Sequence, residues 1–309
     1  MKFGQKINAQ GFILVLVLLF LSFSCRGPQK ETVVVDFSNP RDEEPVEEAG
    51  EGTHILRVAI ATVISPRESF VYYKDLFDYM AEQLKLEIEF KQRMTYEEVN
   101  GLLAENQVDV AFVCSGAYVV GSEHMELLVV PLHNGLPYYQ GYLLTRQNSE
   151  IKQFSDFQEK SFTYSDPLCF TGKLFVDGKL ADMGTTADDF FGSVVYSSSH
   201  DISIQMVSRG LVDGASVNGL IYDYLSVFSP QHLDNIKVIE KSNYFGIPPI
   251  VHSKSLAEPL KTDIRNFLME MHLSDRGRQI LNHLQIDQFI LTGDTLYDGI
   301  RKARNRLMQ

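Results

Sequence analysis

The residues that could do chemistry in this chain gather at a recurring step, where a short β-branched run gives way to a helical pattern. Val108–Val113 is followed by Cys114-Ser115-Gly116-Ala117-Tyr118, and Ser161–Tyr164 by Asp166-Pro167-Leu168-Cys169-Phe170-Thr171-Gly172-Lys173. Ser193–Tyr196 leads into Ser197-Ser198-Ser199-His200-Asp201, and Gly214–Val217 ends in Asn218-Gly219. The first run, Leu56–Ala61, precedes Ser65-Pro66-Arg67-Glu68, an N-cap, a proline in the first helical position and a glutamate that completes a capping box. The first turn of a helix has unpaired N–H groups and a partial positive charge, so hydroxyls placed there complete a cradle for an anion. Plain capping accounts for any one of these steps; several in succession point to a shared ligand site.

The elements that must position these residues follow from the same alternation. Strand-like runs separated by helical patterns, such as Tyr73, Leu76, Phe77, Met80 and Leu84 on one face and a second helix from Tyr96 to Leu103, give α/β layering rather than segregated sheets and bundles. In parallel α/β sheets the strand-to-helix turns lie at the carboxyl ends of the strands, where ligands bind.

Composition narrows the partner. The 309 residues carry 28 basic and 40 acidic side chains, a formal charge of -12, which argues against a nucleic-acid-binding surface. The chain is 44 % apolar and 22 % charged, ordinary for a globular protein, and long enough for two lobes of roughly 100–150 residues each. Long-range steering cannot bring an anion to an acidic molecule, so capture must rely on local dipoles and hydrogen bonds, which favours a small, well-buried ligand. Cys25, Cys114 and Cys169 share no C-x-x-C spacing, so neither a disulfide framework nor a thiolate zinc site is read from them. Lys2 and Lys6 precede an almost wholly apolar run from Gly11 to Ser24, several residues short of the about 20 that span a bilayer, so residues 1–25 read as a signal peptide. Residues 26–54 are acidic, carry prolines and glycines and lack apolar periodicity; they read as a disordered tether spanning about 30 Å.

From Leu56 to the C-terminus these segments resemble the phosphate/phosphonate/phosphite-binding proteins of bacterial ABC importers, the PhnD-like branch of the type II periplasmic binding proteins. The strings that carry the resemblance are Val108–Tyr118, Asp166–Phe175, Ser198–Ile204 and Val212–Asn218. It implies an α/β fold of two lobes joined by two crossing hinge strands, with the ligand held in the cleft between them. Lobe I would comprise 55–145 and 245–309 and lobe II 146–244, with crossings near Tyr138–Arg146 and Lys237–Val251. The resemblance places Tyr118, with Tyr73 as companion, against the ligand from the first lobe. It also places Ser115, Cys169, Phe170, Thr171, Gly172, Ser199, His200 and Asn218 in the ligand-binding set. Cys169 and Phe170 stand where relatives usually present hydroxyls, and Asn218 where they present an acid. The end of the leader resembles a bacterial lipoprotein signal, which implies lipidation of Cys25 and a membrane-anchored, periplasmic or extracytoplasmic location.

The expected function is a monomeric solute-binding lipoprotein that needs no cofactor or metal and delivers a small oxyanion to an ABC transporter permease. Two alternatives stay open. One is a sensor for an oxyanion or arsenite acting with a histidine kinase, with Cys114 and Cys169 as soft ligands, a pair that by default reads as packed small residues and also allows a disulfide. The other is an enzyme with a cysteine nucleophile and His200 as base, against which stands the absence of G-x-S-x-G, H-E-x-x-H, a P-loop and G-x-G-x-x-G. The remaining histidines show no metal spacing, and the basic side of the last helix, Leu296 to Met308, reads as a solvated face.

Overall fold

Strand β1 (His54–Ile60) buries side chains on both faces, and this decides the layering. Leu56, Val58 and Ile60 enter one apolar cluster while Ala59 enters another, because alternate residues of a strand point to opposite sides. β3 (Val110–Phe112) repeats the division, with Val110 and Phe112 on the first side and Ala111 on the second. On the first side pack α1 (Pro66–Leu84), α8 (Glu258–Glu270) and α9 (Asp275–His283), through Leu76, Phe77, Met80, Ile264, Leu268 and Leu281. On the second side pack α2 (Tyr96–Ala104), α3 (Ser115–Gly121) and α10 (Asp298–Leu307), through Val99, Leu103, Tyr118 and Ile300. The resulting sheet has six strands in the order β13-β4-β12-β3-β1-β2, where β2 is Leu86–Lys91, β4 Met125–Pro131, β12 Ile250–Ser253 and β13 Phe289–Ile290.

A second sheet of five strands has the order β10-β6-β9-β7-β8, with β6 Gly141–Arg146, β7 Ser161–Tyr164, β8 Ser193–Tyr196, β9 Gly214–Asn218 and β10 Ile236–Lys241. Leu143, Phe162 and Tyr164 face an aromatic-rich cluster with α4 (Phe175–Asp182) and α5 (Ala187–Phe190). Leu144, Ala215 and Val217 face a cluster with α6 (His200–Ser208) and α7 (Gly219–Phe228). The chain passes between the sheets twice, and the two passages pair antiparallel as β5 (Tyr138–Tyr139) with β11 (Phe245–Gly246). The sheets are mixed rather than purely parallel. β1 with β2 and β3, and β7 with β8 and β9, are parallel, whereas β6 and β12, which enter directly from the crossings, run antiparallel to both neighbours.

In this computed structural model the backbone is described for residues 54–61 and 66–308 and the side chains for 54–61 and 73–308. The leader with Cys25, the tether up to residue 53 and the side chains of the Ser65–Glu68 capping box lie outside the described residues, although α1 does begin at Pro66. No helix among the described residues is long and apolar enough to cross a membrane. The basic side of the last helix is solvated at Lys302 and Arg306, as expected, and also makes surface pairs: Arg301 with Asp294 and Asp298, and Arg306 with Asp182 and the Gly178 carbonyl on α4.

Candidate functional site

Four helix starts converge, and each contributes its N-cap residue or the one beside it. Cys114 precedes α3, Cys169 precedes a single π turn (Phe170–Leu174) that runs into α4, Ser199 and His200 open α6, and Asn218 opens α7. Cys114 Sγ lies 3.8 Å from Cys169 Sγ, Cys169 Sγ lies 3.4 Å from His200 Nε2, and the Asn218 N–H donates to His200 Nδ1 at 3.1 Å. The first of these residues follows a strand of the six-stranded sheet and the other three follow strands of the five-stranded sheet. Both described cysteines are free and buried.

The proton positions follow from the hydrogen bonds. A backbone donor occupies His200 Nδ1, so the neutral ring carries its proton on Nε2 and offers it to Cys169 Sγ. The Gly172 N–H points at the same sulfur from 3.2 Å, as a helix N-cap acceptor would receive it. Burial pushes the Cys169 thiol up, but the Cys114 S–H and the His200 ring outweigh it and hold Cys169 well below the ordinary thiol range. Cys114 goes the opposite way, raised well above that range by burial and then by Cys169. Of the two, Cys169 is the readier to give up its proton and Cys114 the readier to keep it.

Around this sulfur the wall is rich in hydroxyls. Ser115 Oγ donates to the Gly246 carbonyl at 2.8 Å and sits 3.2 Å from Tyr139 Oη; Thr171 Oγ1 is 3.7 Å from Cys169 Sγ; Ser216 Oγ donates to the Thr171 carbonyl. Tyr96 Oη and Ser165 Oγ are buried with no hydrogen-bond partner. Burial, and next the two cysteines, push the Tyr96 hydroxyl well above its ordinary range, so it stays a donor. Tyr96 is held there by the capping box of Thr95 and Glu98 and by its own N–H, which donates to Asp166 Oδ2 at 3.1 Å. Two glycines permit the close fit. A Cβ on Gly116 would stand 2.2 Å from the Leu168 carbonyl oxygen, and one on Gly172 would stand 2.2 Å from Ser165 Oγ.

Of the residues singled out in the sequence, Cys114, Ser115, Cys169, Thr171, Gly172, Ser199, His200 and Asn218 are thus brought to one place. Ser199 contributes through its carbonyl, which accepts from Ser197 Oγ at 2.7 Å, and not through a side-chain cap. The other three have different surroundings. Tyr73 packs on Phe112 with its ring tilted and the centroids 4.8 Å apart, and lines an apolar groove with Asn218, Leu220, Ile221 and Leu284. Phe170 turns away from the cysteines to pack on Phe245 at 4.3 Å, where an apolar ring is better accommodated than beside a thiolate. Tyr118 donates to Asp294 Oδ1 at 2.5 Å and packs on Tyr297, because α3 carries it into the second core of the six-stranded sheet. Sequence reasoning had not placed Tyr96, Tyr139 or Ser165 at this centre. For Tyr96 a signal existed, since a tyrosine directly after a capping-box threonine stands at a helix start.

Among the described residues no group of three or more His, Cys, Asp and Glu side chains is arranged to hold a metal ion. Residues 58–297 match the profile of a family described as "ABC transporter, phosphonate, periplasmic substrate-binding protein". The chain belongs to this phosphonate-binding family. A relative, the phosphonates-binding periplasmic protein of Escherichia coli, is 29 % identical over 175 residues, covering 55 % of this chain and 51 % of its own length. The chain spans about half the length of the curated relatives it matches. Among solved structures, a binding-protein component of an ABC phosphonate transporter from Pseudomonas aeruginosa superposes with a TM-score of 0.78 at 20 % identity, covering 83 % of this chain and 87 % of that one. PhnD1 from Prochlorococcus marinus in complex with methylphosphonate superposes with a TM-score of 0.75 at 15 % identity, covering 82 % and 98 %. These likenesses establish the fold as the two-lobed type II periplasmic binding protein fold, with the β5–β11 ladder as its crossing strands and the cleft between the lobes.

Within the phosphonate-binding family's fold, the convergence at Cys169 is chemically a donor-rich cradle. A backbone N–H and an imidazole N–H meet at the Cys169 sulfur, with buried, unpartnered Tyr96 and Ser165 hydroxyls in the structure as well.

Proposed function

We propose that this protein captures a small oxyanion of the phosphate, phosphite or phosphonate class between its lobes and delivers it to the permease of an ABC importer. Residues 146–244 move as one lobe against 55–145 with 245–309, and the protein works as a monomer anchored outside the cytoplasm through a lipid on Cys25. The observation that carries this reading is the unbroken contact chain Cys114–Cys169–His200–Asn218, which links helix starts of both sheets at a point surrounded by donors. In this reading the Cys169 sulfur marks where the donors meet, and a ligand oxygen takes them over as Cys169 gains a proton. Affinity for a given anion charge therefore falls as pH rises.

The test is the melting of the full chain with phosphate, phosphite, methylphosphonate and sulfate. A ligand at 100 times its dissociation constant stabilises the folded protein by about 2.7 kcal/mol, and a melt shifted by none of the four overturns the proposal. A second reading, a soft ligand such as arsenite sensed on behalf of a histidine kinase, is favoured by the two sulfurs at 3.8 Å. Arsenite added to the same series separates the two, since it would then shift the melt and lose its effect in Cys114→Ser.

A further inference from the structure

Two sulfurs from opposite halves of the molecule meet where the halves touch. Cys114 is 2 % exposed and Cys169 is 0 % exposed, so neither thiol reaches solvent while the halves are together. The segments that carry them approach backbone to backbone, as the 2.2 Å from a Gly116 Cβ position to the Leu168 carbonyl shows. A sulfur separation of 3.8 Å leaves about 1.8 Å to close to a disulfide bond. The chain belongs to a family described as periplasmic, and disulfides form and persist outside the reducing cytosol.

We infer that Cys114 and Cys169 form a dithiol–disulfide couple that fastens the two halves together when oxidised and releases them when reduced. The oxidant is a low-molecular-weight disulfide. The Cys169 thiolate attacks one of its sulfurs, the oxidant's S–S bond breaks, and one thiolate leaves and takes the Cys114 proton. The new Cys114 thiolate attacks Cys169 Sγ, and the second half of the oxidant leaves as a thiolate that is protonated by solvent. Two electrons pass from the cysteine pair to the oxidant, which is reduced to two thiols. Because both sulfurs are covered in the closed arrangement, the first attack requires the halves to part, so the rate of oxidation follows opening. The couple rests on the two sulfurs alone; its effect on ligand exchange rests on the oxyanion reading above.

The experiment uses the full chain and glutathione disulfide. Peptide mapping without reductant recovers the Cys114 and Cys169 peptides joined within one chain, and dithiothreitol separates them. Amide exchange across Ser115–Gly121 and Phe170–Leu174 slows by roughly tenfold or more in the oxidised protein. In Cys114→Ser the reaction stops with glutathione attached to Cys169. Three results overturn the inference: wild-type protein that stops at that same adduct, pairing of either cysteine with Cys25 instead, or a bridge that forms and leaves amide exchange unchanged. The mapping needs no ligand, so its failure leaves the oxyanion reading standing. Conversely, a reduced protein whose melt no oxyanion shifts loses that reading and keeps the couple.

Discussion

Around the half-exposed Asp294 and around the buried Cys169 the molecule gathers the same kinds of side chain, tyrosines and a cationic or ring nitrogen, with opposite results. At Asp294 the donors are matched: Tyr118 O–H and an Arg301 N–H both reach Oδ1, at 2.5 and 2.7 Å, and Tyr297 O–H donates to the Ile247 carbonyl at 2.8 Å. At Cys169 the donors outnumber the acceptors. Gly172 N–H, His200 Nε2–H and the Cys114 S–H share one sulfur, and the Tyr96 and Ser165 hydroxyls have no partner. Buried polar groups are nearly always paired, because an unpaired one costs about 1–3 kcal/mol. The matched cluster at the surface is complete as it stands, whereas the surplus of donors around the buried sulfur is what the proposed oxyanion would accept from.

The comparison is broken most severely by filling the contact between the lobes. In Gly116→Ala the new methyl meets backbone, the Leu168 oxygen at 2.2 Å and the Phe170 nitrogen at 2.8 Å, which no side-chain rotation relieves. The closed arrangement is expected to lose about 3 kcal/mol or more, and the variant should show no oxyanion-induced melting shift while its lobes stay folded by circular dichroism. Next in size is His200→Ala, which removes the ring donor and leaves the Asn218 N–H without its acceptor. It should lose the whole ligand shift, about 2.7 kcal/mol at 100 times the wild-type dissociation constant. A His200→Ala protein that melts with the wild-type shift would place the guest elsewhere.

Much of this was legible in the sequence, for local reasons. β7 and β8 occupy the expected residues, and Cys114, Cys169, Ser199 and Asn218 all prove to be N-cap residues, because capping and β-branched runs are decided within a few neighbours. What escaped was decided far along the chain. Tyr118 finds its acceptor 176 positions away, and nothing near it announces Asp294. Tyr139 reaches Ser115 only because β5 crosses between the sheets. The antiparallel entry of β6 and β12 is likewise a product of the crossings and not of any period within those strands.

Tyr118→Phe sharpens the contrast on the balanced side. It deletes one hydrogen bond to a carboxylate that Arg301 continues to serve, so a loss of about 1–2 kcal/mol in urea melts is expected. The oxyanion shift should be retained in full. If instead this variant loses the ligand shift at unchanged stability, then Tyr118 belongs to the guest's surroundings and the two clusters are not separate in function.

The smallest effect is a change in slope. Part burial pushes the Asp294 carboxyl up, but Arg301 and the Tyr118 O–H outweigh it and hold it below its ordinary range. The unfolded chain then binds this proton at a higher pH than the folded one. The stabilisation is therefore fully present above the ordinary carboxylate value of about 3.9, and it is lost as pH falls through the lowered folded value. Asp294→Asn removes that titration, so its stability curve should be flatter than the wild type's in this acidic window and parallel to it at neutral pH. Urea midpoints taken at closely spaced acidic pH values measure the slope. Cys169 is held well below the ordinary thiol range and helps to raise the nearby Asp166 carboxyl, so Cys169→Ser should change the curve below the ordinary thiol value of about 8.5, where the folded thiol titrates, a window set apart from the Asp294 effect by its persistence in Asp294→Asn.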